Sequence, residues 1–419
     1  RCSMQIKKIK DVEYQQYLDS IEYAGFLQSV EASKKMESNG WKIEYLQFVE
    51  NNTVVASGMI GMIPLMKIFK YCYVPRGFIM DYHDKALVER VTTTFKDYLK
   101  KEGVIYAELD PAIPLQQRNQ DGDVVEDGFN NFDVVDNLKA CGCIQLPLKY
   151  GYDMTRQCRF VSVLDIKDKT KDEVFNGFIS KTRHNIRNAL KNSVKIRELS
   201  RDELSILKEL VDMSGEKQNY ETLGLEYYEQ EYDYFKENAK VYMSYLDVNE
   251  YSLNIQQNIE KEKETIARAN ETLKENPYSK NSQNRLKIAQ KNLESLMVRQ
   301  EEANELSSKC SGELPLAAAM FLFYKGEVYY LSSGSDERYK RFKGPYALQW
   351  FIIQKAVEEG NHSYNFYGIS GKFKPGEEGY GVFDFKRGFN AVVEEYIGNF
   401  ILPCKPFIFK IYNRLKHVC

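Results

Sequence analysis

Glu275-Asn276-Pro277-Tyr278-Ser279-Lys280-Asn281-Ser282 interrupts a long run of helical spacing, and its reading as a turn decides the fold. Before it, Ile259, Ile266 and Leu273 lie seven apart; after it, Leu286, Ala289, Leu293, Leu296, Gln300 and Ala303 follow a 3-4 spacing. Charged and amide residues fill the other positions, leaving one apolar stripe on each side. Pro277 cannot donate the amide hydrogen that a continuing helix needs, so the helix breaks there. Two helices of about 22 residues, each about 33 Å long, are expected to fold back as an antiparallel coiled-coil arm over 249–308. A lone amphipathic insertion with no special role fits the same pattern.

Sheet-like sequence flanks this arm. Ala239–Val248 reads as a strand entering it, and Leu314–Phe323 and Glu327–Ser333 as strands leaving it. A helix over Tyr346–Glu359, a strand over Ser363–Tyr367, a loop over Gly368–Gly381 and a strand around Val382–Phe385 follow. Upstream, Arg159–Leu164 reads as a strand, and Lys171–Asn192, Asp202–Ser214 and Leu225–Glu237 read as helices. The first 150 residues give a helix over Tyr14–Gly40 and strands over Trp41–Phe48, Thr53–Ile60, Phe69–Val74 and Gly77–Asp81. A helix over Asp84–Glu102 and a strand over Val104–Leu109, stopped by Asp110-Pro111, complete them. The order implies an α+β fold in two units, 4–150 and 151–248 with 309–395, plus a tail at 396–419. A chain of 419 residues is too long for one ordinary core.

With 43% hydrophobic and 13% aromatic residues the chain is not disordered, and a net charge of -2 leaves nucleic-acid affinity to local basic patches. Eight Cys form no CxxC pair and the four His have no metal-ligand spacing, so no metal site is expected. Scattered Cys and the lack of an 18-residue apolar run point to the reducing cytoplasm. Arg1-Cys2-Ser3 ahead of Met4 reads as non-native sequence.

Several segments together resemble the FemABX family of non-ribosomal peptidyltransferases. They are Ile63-Pro64-Leu65-Met66-Lys67-Ile68-Phe69-Lys70-Tyr71 with Pro75-Arg76-Gly77, Leu109-Asp110-Pro111, and Tyr364-Asn365-Phe366-Tyr367-Gly368-Ile369-Ser370-Gly371-Lys372-Phe373. Phe385-Lys386-Arg387-Gly388-Phe389-Asn390 and Glu394-Glu395-Tyr396-Ile397-Gly398-Asn399-Phe400 close the set, in order and with the arm in the expected place. The resemblance implies two acetyltransferase-like (GNAT-type) domains and a coiled-coil arm. It also implies transfer of an amino acid from aminoacyl-tRNA to a lipid-linked peptidoglycan precursor (lipid II), with no other cofactor. The location would be the inner face of the plasma membrane of a Gram-positive bacterium. A second copy or a related Fem-type transferase would be a further partner. An acyl-CoA N-acyltransferase and a noncatalytic scaffold using the arm are the alternatives. Gly368–Gly371 lacks the spacing to cradle a pyrophosphate, which counts against coenzyme A.

Such a transfer needs orientation, a proton acceptor and oxyanion stabilisation, because the ester is already activated and the acceptor amine is the nucleophile. The resemblance puts Lys386 near the reacting ester or the tRNA terminus, beside Phe385; without it, Lys386 reads as a solvated lysine at a strand end. Asp110 is implied as proton acceptor or amine anchor, though Asp before Pro is also an ordinary turn residue. Tyr227 matches a tyrosine that contacts the muropeptide, with core packing as the other reading. Lys35 and Arg76 complete the expected substrate-binding set. The family's phosphate-gripping Lys and Arg are replaced by Met36 and Leu223, with Lys34 and Lys35 adjacent, which favours a lipid-linked acceptor.

Between Lys181 and Arg197 lie Lys181, Arg183, Arg187, Lys191, Lys195 and Arg197 with no acid. This run reads either as a solvated helix face or as a patch for the phosphates of tRNA or lipid II. The tail mixes Phe407, Ile408, Phe409, Ile411, Tyr412 and Leu415 with Lys405, Lys410, Arg414 and Lys416. It suits either an anionic membrane surface or the protein's own core.

Overall fold

The computed structural model describes residues 4–218 and 220–419; Arg1-Cys2-Ser3 and its reading lie outside them. The chain opens with β1 (Gln5–Ile9), α1 (Asp11–Ser20), α2 (Val30–Ser38), β2 (Lys42–Glu50), β3 (Thr53–Leu65) and β4 (Phe69–Val74). Helix α3 (Lys85–Lys101) leads to β5 (Val104–Leu109), β6 (Pro114–Gln117), α4 (Phe132–Ala140) and β7 (Ile144–Gln145). Next come β8 (Phe160–Asp165), α5 (Lys171–Gly177), α6 (Ser180–Lys191), β9 (Val194–Leu199), α7 (Leu204–Gln218), α8 (Leu225–Phe235) and β10 (Ala239–Asp247). Two long helices, α9 (Val248–Glu275) and α10 (Lys280–Lys309), precede β11 (Glu313–Tyr324), β12 (Glu327–Ser335) and α11 (Gly344–Glu358). The chain ends with β13 (Ser363–Ile369), α12 (Tyr380–Arg387), β14 (Val392–Tyr396), β15 (Phe400–Pro403) and α13 (Pro406–Lys416).

These elements form two mixed sheets, ordered β1-β2-β3-β4-β5-β15-β7 and β6-β14-β8-β13-β12-β11-β10-β9. Both follow one plan. Antiparallel strands run up to β4 and β12, a helix crosses over (α3, α11), and β5 and β13 return parallel to them. Leu87, Val88, Val91, Phe95 and Leu99 on α3 are buried at helical spacing, each contributing about 1.5–3 kcal/mol. The Asp84 side chain caps α3 by accepting from the Leu87 amide at 3.0 Å. The sheets exchange strands: β6 pairs with β14 in the second, and β15 pairs with β5 and β7 in the first.

Four expectations need correction. The helix expected over Tyr14–Gly40 is α1, a 3-10 turn at Phe26–Gln28, and α2, which restarts at Ser29 as its cap. Lys171–Asn192 divides into α5 and α6 where Phe178 and Ile179 turn extended. Gly77–Asp81 makes only a single bridge, Ser57 to Ile79. Val382–Phe385 lies in the helix α12, not a strand, so Lys386 sits on a helix; so short an apolar run does not separate the two. In the arm region, α9 and α10 are 28 and 30 residues, longer than expected, and pack antiparallel, with Asn292 donating to Glu262 at 3.2 Å. Their bases bury Tyr251, Ile255, Ile259, Ala303 and Leu306 against Phe342 and Ala347.

Candidate functional site

The first unit contributes a loop and a strand end. Gln28 is buried; its amide donates to the carbonyls of Pro75 (2.6 Å) and Met59 (3.1 Å) and accepts from the Met59 amide (2.7 Å). This fixes the loop in which Arg76 takes a left-handed conformation, φ 51°. Asp110, at the end of β5, accepts from the Arg76 amide and the Tyr73 hydroxyl, each at 2.7 Å. Burial raises the Asp110 carboxyl above the usual range, against the opposing effect of Arg76 and these hydrogen bonds. The Arg76 guanidinium donates to the carbonyls of Asp110 (3.3 Å) and Cys158 (2.6 Å) and lies 4.6 Å from the centre of the Tyr396 ring.

The second unit contributes an opening in its sheet. β12 pairs with β13 only from Glu327 to Tyr329, and beyond that the two parallel strands part. A bulge in β13 between Asn365 and Tyr367, where Asn365 accepts from the Tyr367 amide at 2.8 Å, re-aims Tyr367. Lys386, 5% exposed, donates to the Gly368 carbonyl at 2.7 Å and lies 5.7 Å from the centre of the Tyr330 ring. Burial lowers its pKa from 10.5 to about 7. Cys158 sits between Lys386 and Arg76, and its burial pushes the thiol up although both cations oppose this. It also lines an open cavity of about 120 Å³ with Leu148, Arg156 and Asn399.

Two acidic side chains complete the face. Glu395 is held by Arg118, Arg159 and Gln116, whereas Glu394, on the opposite side of β14, lies with Tyr396 on the side of Arg76 and has no such partner among the described residues. Burial, then Glu327, raises the Glu394 carboxyl to about 7. Glu327 is itself bound by Asn365 (3.0 Å) and Tyr329 (2.9 Å).

Arg76, Asp110 and Lys386 are therefore brought together around Cys158. Tyr227 joins them through Tyr367: burial first, then Glu231 and Tyr367, push its hydroxyl well above the ordinary tyrosine value. Lys35 is engaged elsewhere, in an ion pair with buried Glu231 and 4.6 Å from the centre of the Tyr227 ring, so it ties α2 to α8 and is not free to grip a phosphate. Phe385 points away from the site, packing edge-to-face against Tyr346 (5.0 Å) and Phe389 (5.3 Å) in the second core. Lys181, Arg187 and Lys191 are exposed along α6 with Arg183 half-buried, while Lys195 and Arg197 are ion-paired to Glu250, Glu203 and Glu313. The start of α6 abuts the end of α12, the Ile179 amide donating to the Gly388 carbonyl at 3.0 Å. Sequence reasoning gave no role to Glu394, Glu327, Tyr367, Tyr396 or Cys158, although Tyr367, Glu394 and Tyr396 lie in the family-like segments; two adjacent acids, Glu394 and Glu395, in an otherwise apolar strand were a further signal for Glu394.

The model of the FemAB family matches residues 9–417. The chain is 31% identical over 418 residues to "Aminoacyltransferase FemA" of Staphylococcus aureus strain MRSA252, covering 99% of each chain. It is equally similar to the protein of that name from S. aureus strain bovine RF122. A solved structure described as FemX superposes with a TM-score of 0.79 at 23% identity, over 97% of this chain and 99% of that one, and shares its fold.

Proposed function

The chain belongs to the FemAB family, and from that premise we propose that it is an aminoacyltransferase of peptidoglycan bridge synthesis, using aminoacyl-tRNA as donor and lipid II or its extended form as acceptor. Both units are then GNAT-type, and α9 with α10 is a coiled-coil arm. The observation that carries the reading is Lys386, a buried cation at the parting of β12 and β13 with Arg76 across Cys158 from it.

The donor ester enters this opening, and the acceptor amine approaches from the face of Tyr367 and Tyr396. The amine nitrogen attacks the ester carbonyl, Lys386 stabilises the oxyanion, and the carbon–oxygen bond to the tRNA ribose breaks, the ribose oxygen taking the proton that the amine gave up to Glu394. The proton leaving the amine goes to Glu394, whose carboxylate is free and titrates near the working pH. Asp110 has both oxygens engaged, so its part is to hold Arg76 in place. The exposed cations of α6 lead away from Lys386 and suit a tRNA backbone. The scheme uses no coenzyme and no acyl-enzyme.

The test is purified protein with a panel of charged tRNAs and lipid II. Consumption of one charged tRNA only when lipid II is present is the expected result. No transfer from any charged tRNA, with coenzyme A instead protecting the fold against heat, would reject it.

A further inference from the structure

Helix α13 buries one face and leaves another bare. Phe409 is buried with Tyr106 and Leu146, and Ile408 and Tyr412 pack beside it. Phe407, Ile411 and Leu415, spaced four apart on the outer face, are 77%, 49% and 71% exposed. Three large apolar side chains on one stripe of a helix already anchored by its other face have no folding role.

The hairpin between β3 and β4 stands next to this stripe, since Leu65, Phe69 and Tyr71 belong to the same cluster as Phe409. Its tip exposes Met66 (53%) and Ile68 (79%) on either side of Lys67. The charge around both elements is mainly positive; Glu102, beside Gly103, lies ion-paired among Lys8, Lys42 and Lys70. Residues 401–419 contain Lys405, Lys410, Arg414 and Lys416 and no Asp or Glu, and residues 51–80 contain no Asp or Glu either. Exposed Lys100 and Lys101 end α3 just before Gly103, which neighbours the Ile68 carbonyl. An apolar ridge ringed by cations, on a chain whose net charge is only -2, is complementary to anionic headgroups over acyl chains.

We infer that the outer face of α13 and the tip of the β3–β4 hairpin form one docking surface for an anionic lipid bilayer. β4 and β5 run from this surface to Arg76 and Asp110, about 20 Å away at strand rise. The cavity at Leu148, Arg156 and Asn399 opens between Leu146, in the cluster under α13, and Cys158 at the site. Docking there would hold the site a short peptide's length above the membrane; this purpose, unlike the surface itself, rests on the transfer reaction proposed above.

The experiment is co-sedimentation of the full chain with phosphatidylcholine vesicles, with and without about one third phosphatidylglycerol, in the absence of substrates. Binding is expected only to the anionic vesicles, falling with added salt. The combined variant Phe407→Ser, Ile411→Ser and Leu415→Ser should weaken it about tenfold or more, at an unchanged melting temperature. Should that variant fail to fold, Lys410→Gln with Arg414→Gln and Lys416→Gln, which removes no apolar contact, must weaken binding in its place. Equal binding to neutral vesicles, or binding indifferent to these changes, would overturn the inference. So would a concentration-dependent dimer of the parent chain that the serine variant abolishes, since a second copy would then cover the face. A chain that binds vesicles yet transfers nothing would reject only the proposed reaction.

Discussion

Replacing Lys386 with Met removes the ammonium while keeping a side chain of similar length, and the structure gives the change an unusual sign. In the unfolded chain the lysine holds its proton to about pH 10.5, whereas burial in the fold brings its pKa to about 7. At about 1.36 kcal/mol per pH unit, the charged lysine withholds about 5 kcal/mol from stability below pH 7 and about 4 kcal/mol at pH 7. This penalty fades as pH rises from about 7 and is gone above 10.5. Met removes it but leaves the Gly368 carbonyl without its donor, which costs about 1–3 kcal/mol. The variant should thus be about 2 kcal/mol more stable than the parent at pH 6, melting several degrees higher, and no more stable at pH 10. Its transfer rate should fall at least about a hundredfold, the cost of one oxyanion donor. Thermal or urea unfolding at pH 6, 8 and 10 beside a transfer assay measures both. A variant less stable than the parent at pH 6, or a gain that does not shrink with pH, would refute the claim that a buried cation is kept there for function.

Glu394→Gln should lower transfer about a hundredfold and remove the acid limb of a bell-shaped pH profile of kcat/KM centred near pH 7, leaving the fall at higher pH as Lys386 loses its proton. Cys158→Ser should keep most activity, because the raised pKa of the buried thiol leaves little thiolate; an acyl adduct on Cys158 detected by mass spectrometry would contradict this. Lys35→Met strands Glu231 in the interior and should cost about 3 kcal/mol in urea unfolding, most of it regained when Glu231→Gln is added. Replacing Lys181, Arg187 and Lys191 with Ala should weaken tRNA binding and reduce the salt dependence of its affinity by about one phosphate contact per residue, measured by filter binding across salt concentrations.

Periodicity made the large elements legible. The break at Pro277, the apolar spacing of α3 and the paired strands around the arm all stand where the pattern put them, because long periodic segments carry a strong signal. The failures are local. α12 occupies a stretch expected as strand because Val382–Phe385 is too short to show a period. The end of α1 and the start of α2 do not show in the spacing, since a buried Tyr14–Gln28 hydrogen bond of 2.8 Å closes the gap between them, whereas α2 stops at Asn39-Gly40 as the sequence signals. The site was legible only as parts. Asp110, Arg76 and Lys386 were named, yet nothing in the separation of Lys386 from the other two, 276 residues or more, announces Cys158 as the group between Arg76 and Lys386. Lys35 and Phe385 show the converse: residue type and resemblance marked them, but an ion pair to Glu231 and a core of aromatic rings claim them.

The two sheets also explain why one plan used twice yields a single site. In the first, β4 stays paired with β5 from Lys70 to Val74, so the parallel pair is closed, and what it offers is the rigid ends that carry Arg76 and Asp110. In the second, the equivalent pair lets go after Tyr329 and Asn365, and Lys386 reaches the Gly368 carbonyl beside the gap. In the proposed reaction the closed pair positions and the open pair admits a substrate. Strand exchange then makes the arrangement rigid, since β6 and β15 each cross to the other sheet and neither half can turn without breaking main-chain hydrogen bonds in its neighbour. Catalysis by placement alone requires groups from both halves to keep their spacing to within a fraction of an ångström, and two exchanged strands supply that constraint where a flexible linker could not.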